Sequence, residues 1–358
     1  MTAAVRRSFA SLEIRNYRLY FGGQIASLAG NWMQIVAELW LILELTGSGA
    51  AVGLATALQF TGILLFGAWG GALADRFDKR RLLIATQTAM AAPALALFAV
   101  AMTGSAEVWI VLALIGVRGL VLAVDNPARQ AFVIEMVGPD RVVNAVSLNS
   151  VIVHSARIAG PALAGGIIAL WGVTPCFALN AVTFVAMIGA LALMRPGELN
   201  RPARDDGEEG FRIREALGHV ARTPELRTPL VLMAVLGTLG FNFQVILPLL
   251  ARFSFDGGVD SYALLMAAMG AGAVGGSLVA GSRGSLGPGV TAAAAAAFGA
   301  AALAAAAAPT LLVEAGVLVI LGAASVTFAA SINSGLQLAA QPRMQTLRAG
   351  QSSSLKQG

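Results

Sequence analysis

Ten long apolar stretches run through the chain, and the basic residues fall almost entirely in alternate gaps between them. A helix needs about 20 mostly apolar residues to cross the hydrocarbon layer of a membrane. Stretches of that kind lie at 19–43, 51–74, 82–103, 108–128, 145–170, 173–194, 229–251, 261–281, 289–308 and 311–338. That layer holds no water, so each segment must satisfy its own backbone hydrogen bonds, and the pattern points to an all-α polytopic membrane protein. Composition agrees. Of the 358 residues, 57% are hydrophobic and 12% are charged, roughly half the charge of a soluble domain.

Several classes of function drop out early. Cys176 is the single cysteine, which excludes an intrachain disulfide and a cysteine metal site. The net charge of +5 raises nucleic acid as a partner, but the basic residues sit where membrane topology wants them, so none is expected. No cofactor is implied. The first stretch is too long for a signal peptide and reads as a retained helix.

Charge also gives the orientation. With the N-terminus placed inside, the 24 lysines and arginines all fall in inner segments except Arg118 and Arg157, within stretches, and Arg252, outside. Cytoplasmic loops retain positive charge, so both termini are expected in the cytoplasm. Arginine outnumbers lysine and alanine is abundant, as in a GC-rich bacterial genome, which places the chain in a bacterial cytoplasmic (inner) membrane.

The arginine-rich gap at 195–227 divides the stretches into six and four. The expected organisation is a six-helix bundle at 1–194, a cytoplasmic linker at 195–227, a four-helix bundle at 228–340 and a polar tail at 341–358. The parts look related at an offset of about 207–210 residues: Gly30 and Gln34 match Gly240 and Gln244, and Asn126–Gln130 falls opposite Asn333–Gln337. Repeated halves with a solute site between them are the plan of secondary transporters. Counterparts of the fifth and sixth stretches do not follow, so a truncation or frameshift after about Met344 is expected, with a true ten-span protein as the alternative. In the linker, Phe211–Ala221 reads as an amphipathic stretch on the inner membrane surface.

The loop after the second stretch reads Gly71-Ala-Leu-Ala-Asp75-Arg76-Phe-Asp78-Lys79-Arg80-Arg81. It resembles the signature loop of the major facilitator superfamily at Gly71, Asp75, Arg76, Arg80 and Arg81, departs from it at Asp78, where the pattern has glycine, and matches loosely at Lys79. Gly160-Pro161-Ala-Leu-Ala-Gly165-Gly166 is similar to the glycine–proline motif of that superfamily's proton-driven exporters, and Arg118-Gly119 stands where many members carry a buried arginine. Asp125–Gln130 and Asn242–Pro248 resemble the bacterial subgroup that includes the enterobactin exporter. The resemblance implies two helix bundles that rock about a central site, with protons and a small-molecule substrate as partners in the lipid bilayer. It also implies that Asp75 helps to hold the cytoplasmic side shut.

The candidate site residues follow from burial. Gln24, Ser27, Asn31, Gln34 and Glu38 alternate three and four apart, so one helical face carries all five. Polar groups are costly against lipid, so that face either lines an aqueous pathway or bonds to other helices. Glu38 reads as the only carboxylate well inside a stretch. It is a candidate for proton coupling or for a cationic group on the substrate, or it pairs with Arg118 or Arg157. Asp125 suits a hinge or pairing role, and His154, three before Arg157, a proton relay or a packed histidine. Gly160, Pro161, Gly165 and Gly166 suit close packing and a hinge. Asn242 and Gln244 are expected across the pathway from the first stretch, with Trp32, Trp40, Phe241 and Phe243 as aromatic wall or interface anchors. No cluster of catalytic groups and no phosphate-binding loop is present, which excludes an intramembrane enzyme and an ATP-driven pump. The function expected is proton-coupled export of a small amphipathic organic molecule. The alternative is a remnant or interaction protein that does not transport.

Overall fold

The computed structural model describes residues 9–138, 141–200, 231, 242–282 and 288–354. Among them are helices and connecting turns and no strand. After a short 3-10 turn, Ala10–Glu13, come α1 (Arg15–Thr46), α2 (Gly49–Arg76), α3 (Lys79–Met102), α4 (Val108–Val137), α5 (Val142–Trp171) and α6 (Thr174–Ala192). Then follow α7 (Phe243–Leu249), running into a π turn at Leu250–Ser254, α8 (Val259–Ser282), α9 (Pro288–Ala306) and α10 (Leu311–Ser354). Nine of these are long and apolar enough to cross a membrane, and Phe243–Ser254 is a shorter apolar helix.

The connections explain the alternating direction of the helices. Gly47 and Ser48 alone join α1 to α2, and Gly47 sits at φ 58°, the left-handed cap that a residue without Cβ adopts freely. Phe77 and Asp78 alone join α2 to α3, and the Asp78 carboxylate accepts from the backbone N–H of Arg81 at 2.9 Å, capping the new helix. The position that departs from the signature loop therefore has a local job.

Two compact units emerge: Met1–Ala203 with Gln244–Ala267, and Arg204–Phe243 with Ala268–Gly358. In the first unit, the main pairings are α2 with α4, α1 with α6 and α5, and α3 with α6 and α4. Small residues permit them. A Cβ on Gly62 would lie 2.4 Å from the Gly119 carbonyl, and one on Gly70 would lie 1.9 Å from the Ala123 oxygen, so α2 and α4 cross at backbone contact. At the end where α1 begins, Tyr17, Tyr20, Phe132, Met136, Met187 and Leu191 form an apolar core. In the second unit, Gly272 and Gly276 of α8 meet the backbone of α10 at Val319 and Ala323, and Gly322 answers from α10 against Met269.

Large apolar side chains face outward in the manner of a lipid-facing surface: Leu64 is 83% exposed and Trp69 70%. One expectation needs correction: α4 does not end near 128 but runs to Val137, because Pro127 lies inside it without breaking it. The polar region from 341 onward continues α10 as far as Ser354. Phe211–Ala221, most of the linker, and residues 232–241 with Gly240 and Phe241 lie outside the described residues, as do the side chains of 333–354, including the Asn333–Gln337 match.

Candidate functional site

The polar face of α1 turns into the six-helix bundle and feeds two networks. The first lies at mid-bundle. Glu38 pairs with Arg118 of α4 at 2.6 Å, and both side chains are 1% exposed. The same Arg118 nitrogen donates to the Gln59 side-chain oxygen of α2 at 3.1 Å. Gln34 donates to the other oxygen of Glu38 at 2.7 Å and accepts from the side-chain amide of Asn180 on α6. Thr183 in turn donates to the Asn180 oxygen at 2.9 Å. Of the two pairings open to Glu38 from the sequence, the structure takes Arg118 and not Arg157.

Glycines make this network possible. A Cβ on Gly30 would lie 2.4 Å from the Asn180 oxygen, and one on Gly119 would lie 2.6 Å from the backbone oxygen of Gln59. Burying two charges is unfavourable unless their remaining lone pairs and protons find partners. Here both oxygens of Glu38 are bonded, whereas Arg118 Nε has no partner among the described residues. The carboxylate is well held and the guanidinium less so.

The second network lies nearer the start of α1. Arg129 donates to Asp125, four residues before it on α4, and to the Gln24 side-chain oxygen. Asp125 also accepts from Thr86 at 2.6 Å and Gln87 at 2.9 Å on α3, and Ser27 donates to Gln87 at 3.3 Å. Asp125 therefore takes the pairing role. Arg129, read from the sequence as a loop residue, is buried because α4 extends past it. Asn31, between the networks, is half-buried and its side-chain oxygen has no partner among the described residues.

The signature loop divides its labour. Arg80 donates to the carbonyls of Leu191 at 2.6 Å and Ala192 at 2.9 Å, closing the C-terminal end of α6; a cation is favoured there. Lys79 pairs with Glu135 of α4 at 2.7 Å. Asp75, Arg76 and Arg81 are exposed. Gly71 has open space where a Cβ would be, and the close approach to α4 belongs to its neighbour Gly70.

In α5, a Cβ on Gly160 would lie 2.4 Å from Trp32 Cβ, and one on Gly165 would lie 1.9 Å from Ala263 of α8. Pro161 is buried within the helix, while Gly166 has open space around it. The Arg157 guanidinium lies 5.1 Å from the centre of the Trp32 ring. The His154 side chain lies outside the described residues. Trp40 stacks on Tyr262 of α8, and Phe243 meets Phe298 edge-on. Asn242 and Gln244 are half-buried at the start of α7, and the Gln244 side-chain oxygen is buried without a partner among the described residues.

Sequence reading missed Gln59, Thr86, Gln87 and Asn180, although a polar residue within an apolar stretch was a usable signal. It also passed over Glu314, in the first turn of α10, which is fully buried with no partner for either oxygen among the described residues.

The sequence profile of the transmembrane secretion effectors, within the major facilitator superfamily, matches residues 6–349. The chain belongs to that family. The chain is 24% identical over 252 residues to the staphyloferrin A transporter of Staphylococcus aureus, a match covering 70% of this chain and 62% of that one. It is 26% identical over 183 residues to macrolide efflux protein A of Streptococcus pyogenes, covering 50% and 44%. The chain thus spans less than two thirds of the length of these relatives. Among solved structures, a bacterial homologue of the human lysosomal transporter Spinster superposes with a TM-score of 0.67 at 15% identity, covering 92% of this chain and 74% of that one. A bacterial homologue of the iron transporter ferroportin gives 0.64 at 14% identity, covering 94% and 87%. Family and fold are those of transporters and not of enzymes.

Proposed function

We propose that this secretion-effector family member exports a small amphipathic organic molecule in exchange for protons, by alternating access of a rocker-switch kind. The observation that carries the reading is the Glu38–Arg118 pair, buried at the centre of the first six helices. A proton delivered to Glu38 removes the charge that holds Arg118 and leaves a guanidinium already short of a partner at Nε. That guanidinium must then find another acceptor or draw in water, which loosens α4 from α1. Substrate release and proton binding can share this step. Gln34, Gln59 and Asn180 position the pair, while Asn31 and Gln244 keep spare acceptors for a solute. The likeness to a staphyloferrin A transporter and a macrolide efflux protein supports export of a small organic molecule.

Under this reading the start of α1 faces the cytoplasm of a bacterial cell, and the basic loop supports that orientation. Exposed Asp75 then belongs to a latch that breaks and reforms as the molecule rocks. Its carboxylate sits at the C-terminal end of α2, where a negative charge is locally unfavourable.

The test is transport by the purified full chain in proteoliposomes with an imposed pH gradient. Wild type should accumulate substrate against its own gradient. Glu38→Gln should lose that accumulation and keep exchange of substrate for substrate. Undiminished gradient-driven accumulation by Glu38→Gln would refute the coupling role. No accumulation by wild type would favour the other reading, a membrane protein that does not transport.

A further inference from the structure

We propose that Glu314 is a second proton-binding site: its carboxyl group holds a proton in the conformation described here, and loss of that proton opens the first turns of α10. This adds a coupling residue to the exporter proposed above. Its role in exchange rests on that reading, while its protonation does not.

Glu314 is fully buried in the first turn of α10, inside the apolar window Leu311–Ile332. Neither of its oxygens has a partner among the described residues. Glu314, Val317, Leu321, Ala324 and Phe328 alternate three and four apart, so one face of α10 carries all five. That face packs on α9. Leu321 and Ala324 share a cluster with Phe298 and Ala301, and Phe328 shares one with Ala294. The two helices are joined by the turn at 307–310, so Glu314 stands level with the end of α9. Residues 304–308 there are all alanine.

No cation answers the carboxyl group from the elements packed on α10. α9 has no titratable residue. α8, which meets α10 through Gly272 and Gly276, has Asp260 and Tyr262 in its first turn and no basic residue. α7 brings Phe243 to the same cluster, and Arg252 in the π turn beyond it is exposed. On α10 itself the next titratable residue is Arg343. An ion stripped of both water and partner is so costly that the group takes up a proton instead. The helix terminus does not reverse this. It favours a negative charge, but by far less than a bare buried ion costs. Nor is Glu314 a cap. Thr310 fills that place: its carbonyl accepts from the Glu314 N–H at 3.0 Å and its hydroxyl from the Val313 N–H at 3.4 Å.

The chain supplies its own comparison. At the offset of the repeat, 207 residues earlier, stands Glu107. Glu107 precedes α4, is exposed and accepts from the indole of Trp109. Matching places in the repeat thus hold a solvated carboxylate and a dry, bare carboxyl group. A buried polar group without a bond breaks the rules of a stable core, and such breaches concentrate at functional positions. The chemistry open to Glu314 is exchange of its proton with water. When the acid gives its proton to a water molecule, the O–H electron pair stays on oxygen as a carboxylate. That carboxylate must be hydrated, so α10 must part from α9 to admit water. Taking the proton back removes the charge and lets the helices close. Glu38 is in the opposite condition, ionised against Arg118.

Infrared spectroscopy of the purified full chain in uncharged detergent reads the proton directly, because the C=O stretch of a protonated carboxyl group is distinct from that of a carboxylate. At neutral pH wild type should show this band. Glu314→Gln and Glu314→Leu should both lose it, and Glu107→Gln and Glu38→Gln should keep it. Hydrogen exchange reads the opening. At mildly alkaline pH, backbone amides 311–321 of wild type should exchange at least about tenfold faster than those of Glu314→Gln, since an unpaired charge is strongly disfavoured in an apolar site. At mildly acidic pH the two should match. Comparing the proteins at one pH cancels the intrinsic chemistry of exchange. A wild type without the band would overturn the proposal. So would a band that survives both substitutions, or equal exchange of wild type and Glu314→Gln at alkaline pH. Neither measurement needs a transported solute, so the two readings fail separately. A chain that passes both tests but never moves a solute sinks the export reading alone. A chain that exports in exchange for protons yet lacks the band sinks this inference alone.

Discussion

Glu38, Arg118 and Glu314 show opposite ways of burying a charged group, and stability should register the difference. Removing one member of a buried, hydrogen-bonded pair leaves its partner stranded, which costs about 3–5 kcal/mol. Arg118→Met should therefore unfold far more readily than wild type in a thermal melt of the detergent-purified protein. Adding Glu38→Leu should recover most of that loss, because no charge is then left bare. A double variant as unstable as the sum of its singles would mean that the pair contributes nothing jointly. Glu314 has no bond on either oxygen among the described residues. No titratable residue occurs on α9, which packs against α10. Relieving an unsatisfied buried group returns about 1–3 kcal/mol, so Glu314→Leu should raise the melting temperature. A drop would show that the carboxylate has a partner in the folded protein.

Among the helices, the decisive contacts are those made through absent side chains. A Cβ on Gly70 would lie 1.9 Å from the Ala123 oxygen, and α2 could accept it only by moving away from α4. Gly71 has nothing within 4 Å of that position. Gly70→Ala should thus lower stability, while Gly71→Ala should leave it unchanged or raise it by up to about 1 kcal/mol, the helical preference for alanine over glycine. Equal effects in unfolding experiments would remove the α2–α4 crossing from the account. Here the limit of sequence reading is physical. Apolar runs announce helices because the bilayer imposes a length, so α1 to α6 fall close to where periodicity and hydropathy put them. The polar stripe from Gln24 to Glu38 is equally visible, since its spacing is a property of one helix. Which residue answers it is a property of two. Gln59 and Asn180 become partners because Gly119 and Gly30 let neighbouring helices approach, and Thr86 because α3 packs on α4. The signature loop drew attention to Gly71, when the contact belongs one residue earlier. Arg129 was misplaced for a related reason: the apolar stretch stops near 128, yet α4 runs on past Arg129 to Val137.

For the whole molecule, the claim most exposed to test is the direction in which it sits. Every gap on the side where α1 begins is basic, and the outer side has Arg252 alone. Lysine and arginine near short loops are retained in the cytoplasm, so the turn at Ser105 should face the outside and Asn200 the inside. The chain offers a clean background for this measurement, because Cys176 is its single cysteine and is fully buried in α6. A reporter cysteine added elsewhere should be the only one that an aqueous reagent reaches. Ser105→Cys should be labelled in intact cells by a membrane-impermeant maleimide, and Asn200→Cys only after the membrane is opened. Both positions are at the protein surface, so failure to label cannot be put down to burial. The reverse pattern would invert the molecule, put the exposed carboxylate of Asp75 and the end-capping Arg80 on the outer face, and turn proposed export into uptake.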